Sequence, residues 1–200
     1  MATNPNILSA TEVKWRTLVA PYQQPNTQIG LWQLANSFGG LLLCWTLMYL
    51  SLRVGYWATL MPVIVLAGSV GTWLFYVQHQ FERTYWEHTP QWDYTLAALH
   101  GSSYYKLPRL LQWFTGNIGF HHIHHLSPRI PNYHLQKCHD ENPALQQVAQ
   151  LTLKSSLQTI WLTLWDEEQR RLVSFREAAA MKKSVAVQSL APNRLYSNAN

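Results

Sequence analysis

The sequence predicts an all-α membrane protein, in which a two-span transmembrane helical hairpin precedes a helical cytoplasmic C-terminal region. Two long uncharged apolar runs and a cluster of histidines lead to this prediction. Charged residues make up only 12% of the 200 residues, whereas aromatic residues reach 13%. Because globular chains carry roughly 25% charged residues, this composition excludes a disordered chain, a collagen-like chain and a charged coiled coil.

The basic residues are distributed as in a membrane protein. The 15 Lys and Arg exceed the 10 Asp and Glu, and one reading of such an excess is nucleic-acid binding. However, Lys14 and Arg16 precede the first apolar run, Arg53 lies between the two runs, and the others follow His79. Since basic residues concentrate on the cytoplasmic side of a membrane, we expect both termini to be cytoplasmic and no nucleic-acid partner.

The first elements are a polar segment and a long apolar run. Residues 1–30 are predicted to form a cytoplasmic N-terminal segment with a short helix at 12–19. The run from Leu31 to Leu52 has 22 residues without a charge, which as a helix reach about 33 Å and so cross roughly 30 Å of hydrocarbon. The alternative is a buried core helix, but few core helices are this long.

A second apolar run completes the predicted hairpin. Tyr56 to Gln78 is 23 residues long and uncharged, and the short break at 53–55 joins it to the first run. Pro62 is expected to kink this helix, as membrane helices tolerate. The predicted transmembrane hairpin therefore covers 31–78, with spans at about 31–52 and 56–78.

The remainder, 79–180, is predicted to be a cytoplasmic region followed by a disordered tail at 181–200. Apolar spacing and prolines predict its elements. In chain order these are helices at 92–105 and 108–118, a loop at 126–143, and an amphipathic helix at 146–165 on the membrane surface.

The densest chemical feature is the run GFHHIHHLSPRIPNYH. On a helix, His121, His124 and His125 share one face, and neutral imidazole suits Zn, Cu, Fe and Ni. The alternative is a solvent-exposed histidine run. His79, at the end of the second apolar run, is either a further ligand or an interfacial polar cap, and Glu82 would lie on the same helical face.

Several segments resemble a known family. HQFERTYWEH, LHGSSYYKLP, LQWFTGNIGFHHIHHLSPRIPNYHL and HDENPAL are similar to the C-terminal part of bacterial membrane fatty acid desaturases of the acyl-lipid omega-6 or delta-12 kind. LVAPYQQPN and LWQLANSFGG, continuing to about Leu60, resemble the N-terminal part of the same proteins. The resemblance covers nearly the whole chain.

The resemblance implies an oxidoreductase of fatty acid biosynthesis that uses dioxygen to introduce a double bond into the acyl chain of a lipid. It implies a di-iron centre on the cytoplasmic side of a four-span domain, with electrons from ferredoxin or a cytochrome b5-type donor. It also implies a bacterial inner or thylakoid membrane. By resemblance His121, His124 and His125 are the third histidine box, His79 is an additional ligand, and His122 and Asn117 support the ligands.

The chain departs from the family's pattern at its metal ligands. No histidine precedes His79, so the first box, of the H-D-C-G-H kind, and the second, of the H-x-x-H-H kind, are missing. The similarity passes near Leu60–Met61 from the family's second span into its fourth, as expected for an internal deletion. Four matched imidazoles suffice for one mononuclear site, so we expect no desaturation by this chain alone. It would need a second chain with the missing boxes.

Two alternatives to that interpretation remain. One is a non-catalytic membrane remnant or partner subunit of the same family. The other is an unrelated membrane module that binds a single metal ion, such as a zinc or copper handler.

Overall fold

The computed structural model describes residues 15–190, which are mostly helical. The chain enters through helix α1 (Trp15–Val19) and a 3-10 turn at Ala20–Gln23. The helix expected at 12–19 is confirmed where it falls within the described residues, and residues 12–14 lie outside them.

Two long helices form the hairpin. Helix α2 is Thr27–Ser51 and helix α3 is Tyr56–His79, so the first begins four residues before the predicted position. The Asn26 side chain caps α2 by accepting hydrogen bonds from the backbone N–H of Gln28 and Ile29. Gly55, with a φ of 144°, provides the turn between the helices in a conformation that favours glycine.

Both helices are long and apolar enough to cross a membrane, by length and composition. No residue of α2 is buried in the protein. This distinguishes α2 from the core helix of a soluble domain, whose apolar face packs against other elements.

A layer of short elements follows the hairpin. Its helices are α4 (Tyr94–His100), α5 (Arg109–Phe114), α6 (His121–Leu126), α7 (Asn132–Glu141), α8 (Leu153–Ser156) and α9 (Phe175–Leu190). Its strands are β1 (Tyr104–Lys106), β2 (Gln150–Thr152), β3 (Leu164–Asp166) and β4 (Arg171–Val173), and its 3-10 turns are Pro143–Leu145 and Leu157–Trp161. Strand β1 pairs in parallel with β2, with Tyr105 opposite Leu151, and β3 pairs antiparallel with β4.

Several sequence predictions for this layer are wrong in detail. The four strands contradict a purely α-helical chain, and the helices predicted at 92–105 and 108–118 are shorter than expected. The predicted loop at 126–143 contains α7, because Pro131 stands at the start of a helix, where its missing N–H costs nothing. The expected tail is helical as far as Leu190 in α9, and 191–200 lie outside the described residues.

The amphipathic helix predicted at 146–165 is also wrong. The segment is divided into β2, α8, a 3-10 turn and the start of β3. Thr152 and Ser155 form a reciprocal capping box that starts a new helix at Leu153. The β2 pairing with β1 is a long-range contact that local apolar spacing does not reveal.

The hydrophobic core lies beneath α6. Ile123 and Leu126 on that helix are fully buried and pack with Ala98 of α4 and with Leu135 and Cys138 of α7. One side of a six-residue helix is thus fixed in the core, which leaves its other side available for a site.

The N-terminal segment is clamped onto the same layer. The Tyr22 hydroxyl donates to Glu141 at 2.8 Å, and the Gln23 amide donates to the Ser127 hydroxyl at 3.0 Å. The backbone N–H of Asn26 donates to the Tyr133 hydroxyl at 2.7 Å. The segment before α2 and the layer after α3 therefore lie at the same end of the hairpin.

A core substitution tests this packing. Ile123→Ala should lower the free energy of unfolding by roughly 2–5 kcal/mol, because it leaves a cavity at a buried position. Leu110→Ala, at a position 66% exposed, is the matched control and should change it by less than about 0.5 kcal/mol. Unfolding of the purified protein in detergent, followed by circular dichroism, measures both. Equal losses would contradict the core assignment.

Candidate metal centre

Three histidines converge where α3 ends against α6. The candidate ligand atoms of His79, His121 and His125 all lie within 4.8 Å of one another. The Nε2 atom of His121 is 3.0 Å from Nε2 of His79 and 3.0 Å from Nε2 of His125. His121 and His125 are one turn apart on α6, which brings their rings together.

The end of α3 is held in place by its last buried residue before the site. The Gln78 side chain donates to the Ile118 carbonyl at 3.0 Å, and the Gln78 carbonyl accepts from the backbone N–H of Ser103 at 2.9 Å. These bonds connect α3 to the segments that flank α6 and β1. His79, the next residue, is therefore placed beside α6.

A hydrogen bond also orients the His79 ring. Its Nδ1 atom lies 3.2 Å from the Gly101 carbonyl, just after α4. Because a carbonyl only accepts, Nδ1 carries the proton and Nε2 presents its lone pair to the cluster. Metal-binding histidines typically make such a bond with their second nitrogen.

The two short separations between these nitrogens are compatible with one metal ion. At a metal–nitrogen distance of roughly 2.1 Å, two imidazoles of a tetrahedral site have nitrogens about 3.4 Å apart. The 3.0 Å separations in this cluster are close to that value. Two neutral nitrogens with facing lone pairs gain little from this proximity unless a proton or a cation lies between them. The donor set therefore suits a first-row metal.

Desolvation favours the neutral form of His121 and His125. It lowers the pKa of His121 to about 3, with further contributions from His125 and His79. Desolvation of its ring likewise lowers the pKa of His125, helped by His79 and His124, although the residue as a whole is exposed. Since only the neutral imidazole binds metal, these two histidines are in their binding form at neutral pH.

His124 lies beside the cluster rather than in it. Its ring stacks on that of His121 with centroids 5.6 Å apart, but its nitrogens are not among the three-histidine group. The structure thus brings together three of the four predicted ligands, and ligation by His124 stays a prediction.

His122 lies on the buried side of α6. Its Nε2 atom is 3.3 Å from Nδ1 of His139 on α7, and burial with the neighbouring His139 lowers the pKa of His122 to about 3. Sequence reasoning did not single out His139. The only sequence signal for His139 is its position within HDENPAL. Its contact with His122 depends on α7, the segment that the sequence predicts to be a loop.

Asn117 and Glu82 serve other contacts. Asn117, with a φ of 58°, donates from its side chain to the Asn132 carbonyl at 3.0 Å, and so connects the segment before α6 to α7. The expectation for Glu82 is wrong: α3 ends at His79, and the Glu82 carboxylate pairs with Arg171 at 3.1 Å. Glu82 lies beyond the end of α3 and so cannot share a helical face with His79.

Apolar helices of membrane-spanning length, joined to clustered imidazoles that can hold a metal ion, are the features of a membrane-type metalloprotein. The sequence model of the fatty acid desaturase family matches residues 6–154, and the chain belongs to that family. It is similar to the "Fatty acid desaturase" of Bacillus subtilis (strain 168), with 49% identity over 138 residues, which are 69% of this chain. The match covers 39% of that relative's length. No solved structure matches the chain.

The family assignment agrees with the geometry. Desaturases are generally metal-dependent, and the three-histidine group is a candidate for the metal. They are typically membrane-bound, act on lipids and require an electron donor, and two helices here can span a bilayer. The family predicted from the sequence motifs is therefore confirmed.

Removing the central imidazole tests the centre. His121→Ala should weaken metal binding by more than the roughly 10–100-fold that follows loss of an outer-shell partner, because His121 contacts both other ligands. His88→Ala, at an exposed side chain outside the group, should leave the affinity unchanged. Equilibrium dialysis of the purified protein with Co²⁺ or Fe²⁺ measures the difference, and equal affinities in the two variants would exclude the site.

His124→Ala in the same assay separates the two ligand sets. The three-histidine geometry predicts a smaller loss than for His121→Ala. Ligation by the whole third box predicts an equal loss.

Proposed function

We propose that this chain is a membrane-embedded part of a fatty acid desaturase that acts on acyl lipids, with iron held by His79, His121 and His125. The convergence of three imidazoles in a member of this family supports the proposal. When bound, iron would supply the oxygen chemistry that removes two hydrogens from an acyl chain. Ferredoxin or a cytochrome b5-type protein is the proposed electron donor.

The protein's own residues set the conditions for that chemistry. The Gly101 carbonyl fixes the tautomer of His79, and the buried position of His121 excludes water from one side of the cluster. His125 is exposed. The His125 side is therefore the proposed direction from which substrate, dioxygen and electrons approach.

The membrane location is supported by the surface of the hairpin. Large apolar side chains on α2, such as Leu42 at 66% and Trp45 at 68%, are exposed. Exposing such surface to water costs about 25 cal/mol per Å², and lipid removes this cost. Because the N-terminal segment contacts α7 and basic residues flank the hairpin, both termini are proposed to be cytoplasmic. The membrane would be a bacterial inner or thylakoid membrane.

The proposed centre is incomplete for the di-iron chemistry of the family. No histidine precedes His79 in the sequence. Within residues 15–190 one group of three or more candidate ligands is found, and it suits a single ion. The chain alone is therefore proposed to be inactive, and a second chain that carries the missing histidine boxes would be needed for desaturation.

A second candidate function is supported by the same geometry. Three histidines with an open fourth position are also the ligand set of a zinc site. A module that binds one zinc or copper ion would need no further histidine box.

Iron analysis together with fatty-acid profiling tests the proposal. The purified chain should hold fewer than two irons, and cells that express it should contain no new double bonds in their lipids. Two irons per chain with new double bonds would refute the inactivity. One tightly held zinc or copper ion would favour the single-metal module, and His121→Ala serves as the metal-free control.

Co-expression separates a partner subunit from a remnant. The partner would be the full-length Bacillus subtilis relative in which the residues aligned with His121, His124 and His125 are replaced by alanine. New double bonds that appear only with both chains would show that this chain supplies the missing ligands. Their absence would support a remnant.

Cysteine labelling tests the topology. The starting variant has Cys44 and Cys138 replaced by alanine. When it is expressed in cells with the further change Arg53→Cys, it should react with a membrane-impermeant maleimide from outside, because Arg53 lies in the turn of the hairpin. A Lys137→Cys variant, at an exposed position on α7, should react only after lysis. The reverse pattern would invert the proposed orientation.

A further inference from the structure

A cavity of about 520 Å³ lies between the first half of α2 and the segment from α5 to the start of α7. This volume is within the range of about 300–1,000 Å³ that small-molecule sites occupy. None of the three clustered histidines lines it. It is a separate feature from the metal centre.

One face of α2 supplies the polar side of this cavity. Gln33, Asn36, Ser37 and Gly40 follow one another at intervals that place them on the same side of a helix. The Gln33 amide donates to the Asn132 side chain at 2.8 Å. The Asn36 side chain is half-buried and makes no hydrogen bond with the described residues.

An amide at this depth needs a partner. Asn36 is about 14 Å along the helix from Thr27, at a rise of about 1.5 Å per residue. In the proposed orientation this position lies within the cytoplasmic leaflet. Polar groups in hydrocarbon are costly and generally mark a functional pathway or contact. A ligand with hydroxyl or ester oxygens would satisfy the Asn36 amide.

The rest of the lining is aromatic and amphipathic. Trp32, Trp113 and Phe114 are 65%, 58% and 69% exposed at the cavity wall. Tryptophan is enriched at the level of lipid head groups, where one part of the ring is apolar and the other hydrated. The cavity therefore combines uncharged hydrogen-bonding groups with an apolar exit toward the bilayer.

Charge decides the class of lipid. No lining side chain is charged, whereas anionic head groups are bound by Lys and Arg. Amides of Asn36, Asn117 and Asn132 suit hydroxyl groups instead. We propose that this cavity binds a membrane lipid whose head group is uncharged and hydroxylated, namely diacylglycerol or a glycosylated diacylglycerol. The inference uses the membrane location proposed above and does not depend on catalysis.

Tryptophan quenching tests this site. The full chain is placed in phosphatidylcholine nanodiscs with increasing fractions of brominated diacylglycerol, brominated monoglucosyl-diacylglycerol or brominated phosphatidylglycerol. The difference in fluorescence between the native chain and Trp113→Phe isolates Trp113. At least one uncharged hydroxylated lipid should reach half-maximal quenching at a mole fraction at least threefold below that of phosphatidylglycerol. Equal mole fractions for the three lipids would overturn the proposal.

Variants identify the group responsible. Asn36→Leu should abolish the threefold preference, whereas Asn36→Gln should keep it. Thr46→Leu is the control, because the Thr46 hydroxyl is bound to the Leu42 carbonyl of its own helix and is not part of the cavity lining. Retention of the preference in Asn36→Leu would overturn the proposal. The circular dichroism spectrum of each variant, compared with that of the native chain, confirms that it is folded.

The brominated lipids also show whether the cavity recognises the sugar or the glycerol of the lipid. Half-maximal quenching at a lower mole fraction of the glycosylated lipid than of diacylglycerol identifies the sugar as the recognised group. Equal mole fractions for these two lipids identify the glycerol. Because the measurement requires neither iron nor desaturation, its failure leaves the proposed desaturase function untouched. Failure of the iron analysis likewise leaves the lipid site testable.

Discussion

Gln78 joins the hairpin to the layer that carries the site. Gln78 is 1% exposed; its side-chain amide donates to the Ile118 carbonyl, and its backbone carbonyl accepts from the N–H of Ser103. Together with the hydrogen bond between His79 Nδ1 and the Gly101 carbonyl, these bonds hold the end of α3 against the layer and place His79 beside α6. Loss of the Ile118 carbonyl as a partner would leave the buried Gln78 amide unsatisfied, at a cost of about 1–3 kcal/mol. This cost favours the observed arrangement of α3 against the layer.

Helix α6 divides its two faces between stability and chemistry. Ile123, Leu126 and His122 face the core, while His121 and His125 meet His79. A six-residue helix has little stability of its own. Its geometry is therefore imposed by the packing around it, and the imidazole positions inherit that rigidity.

Some of this was predictable from sequence, for identifiable reasons. The two long helices follow from uncharged runs, which no other local structure accommodates, and the pairing of His121 with His125 follows from helical spacing. The third candidate ligand, His79, is indicated by the resemblance and by its place at the end of an apolar run. Its contact with α6 requires the fold. Likewise, α7 and the pairing of β1 with β2 depend on capping and on partners distant in sequence, so apolar spacing alone misassigned both segments.

The clamp between the N-terminal segment and α7 has a consequence for biosynthesis. Tyr22 and Glu141 are 119 residues apart in the chain, which at roughly 5–20 residues per second of translation corresponds to about 6–24 s. Both apolar helices leave the ribosome within this interval, before α6 and α7 exist. A growing chain that is interrupted there would contain the hairpin but neither the clamp nor two of the three clustered imidazoles. The three clustered histidines can therefore come together only after α6 has been synthesised, whereas the clamp must wait for the end of α7.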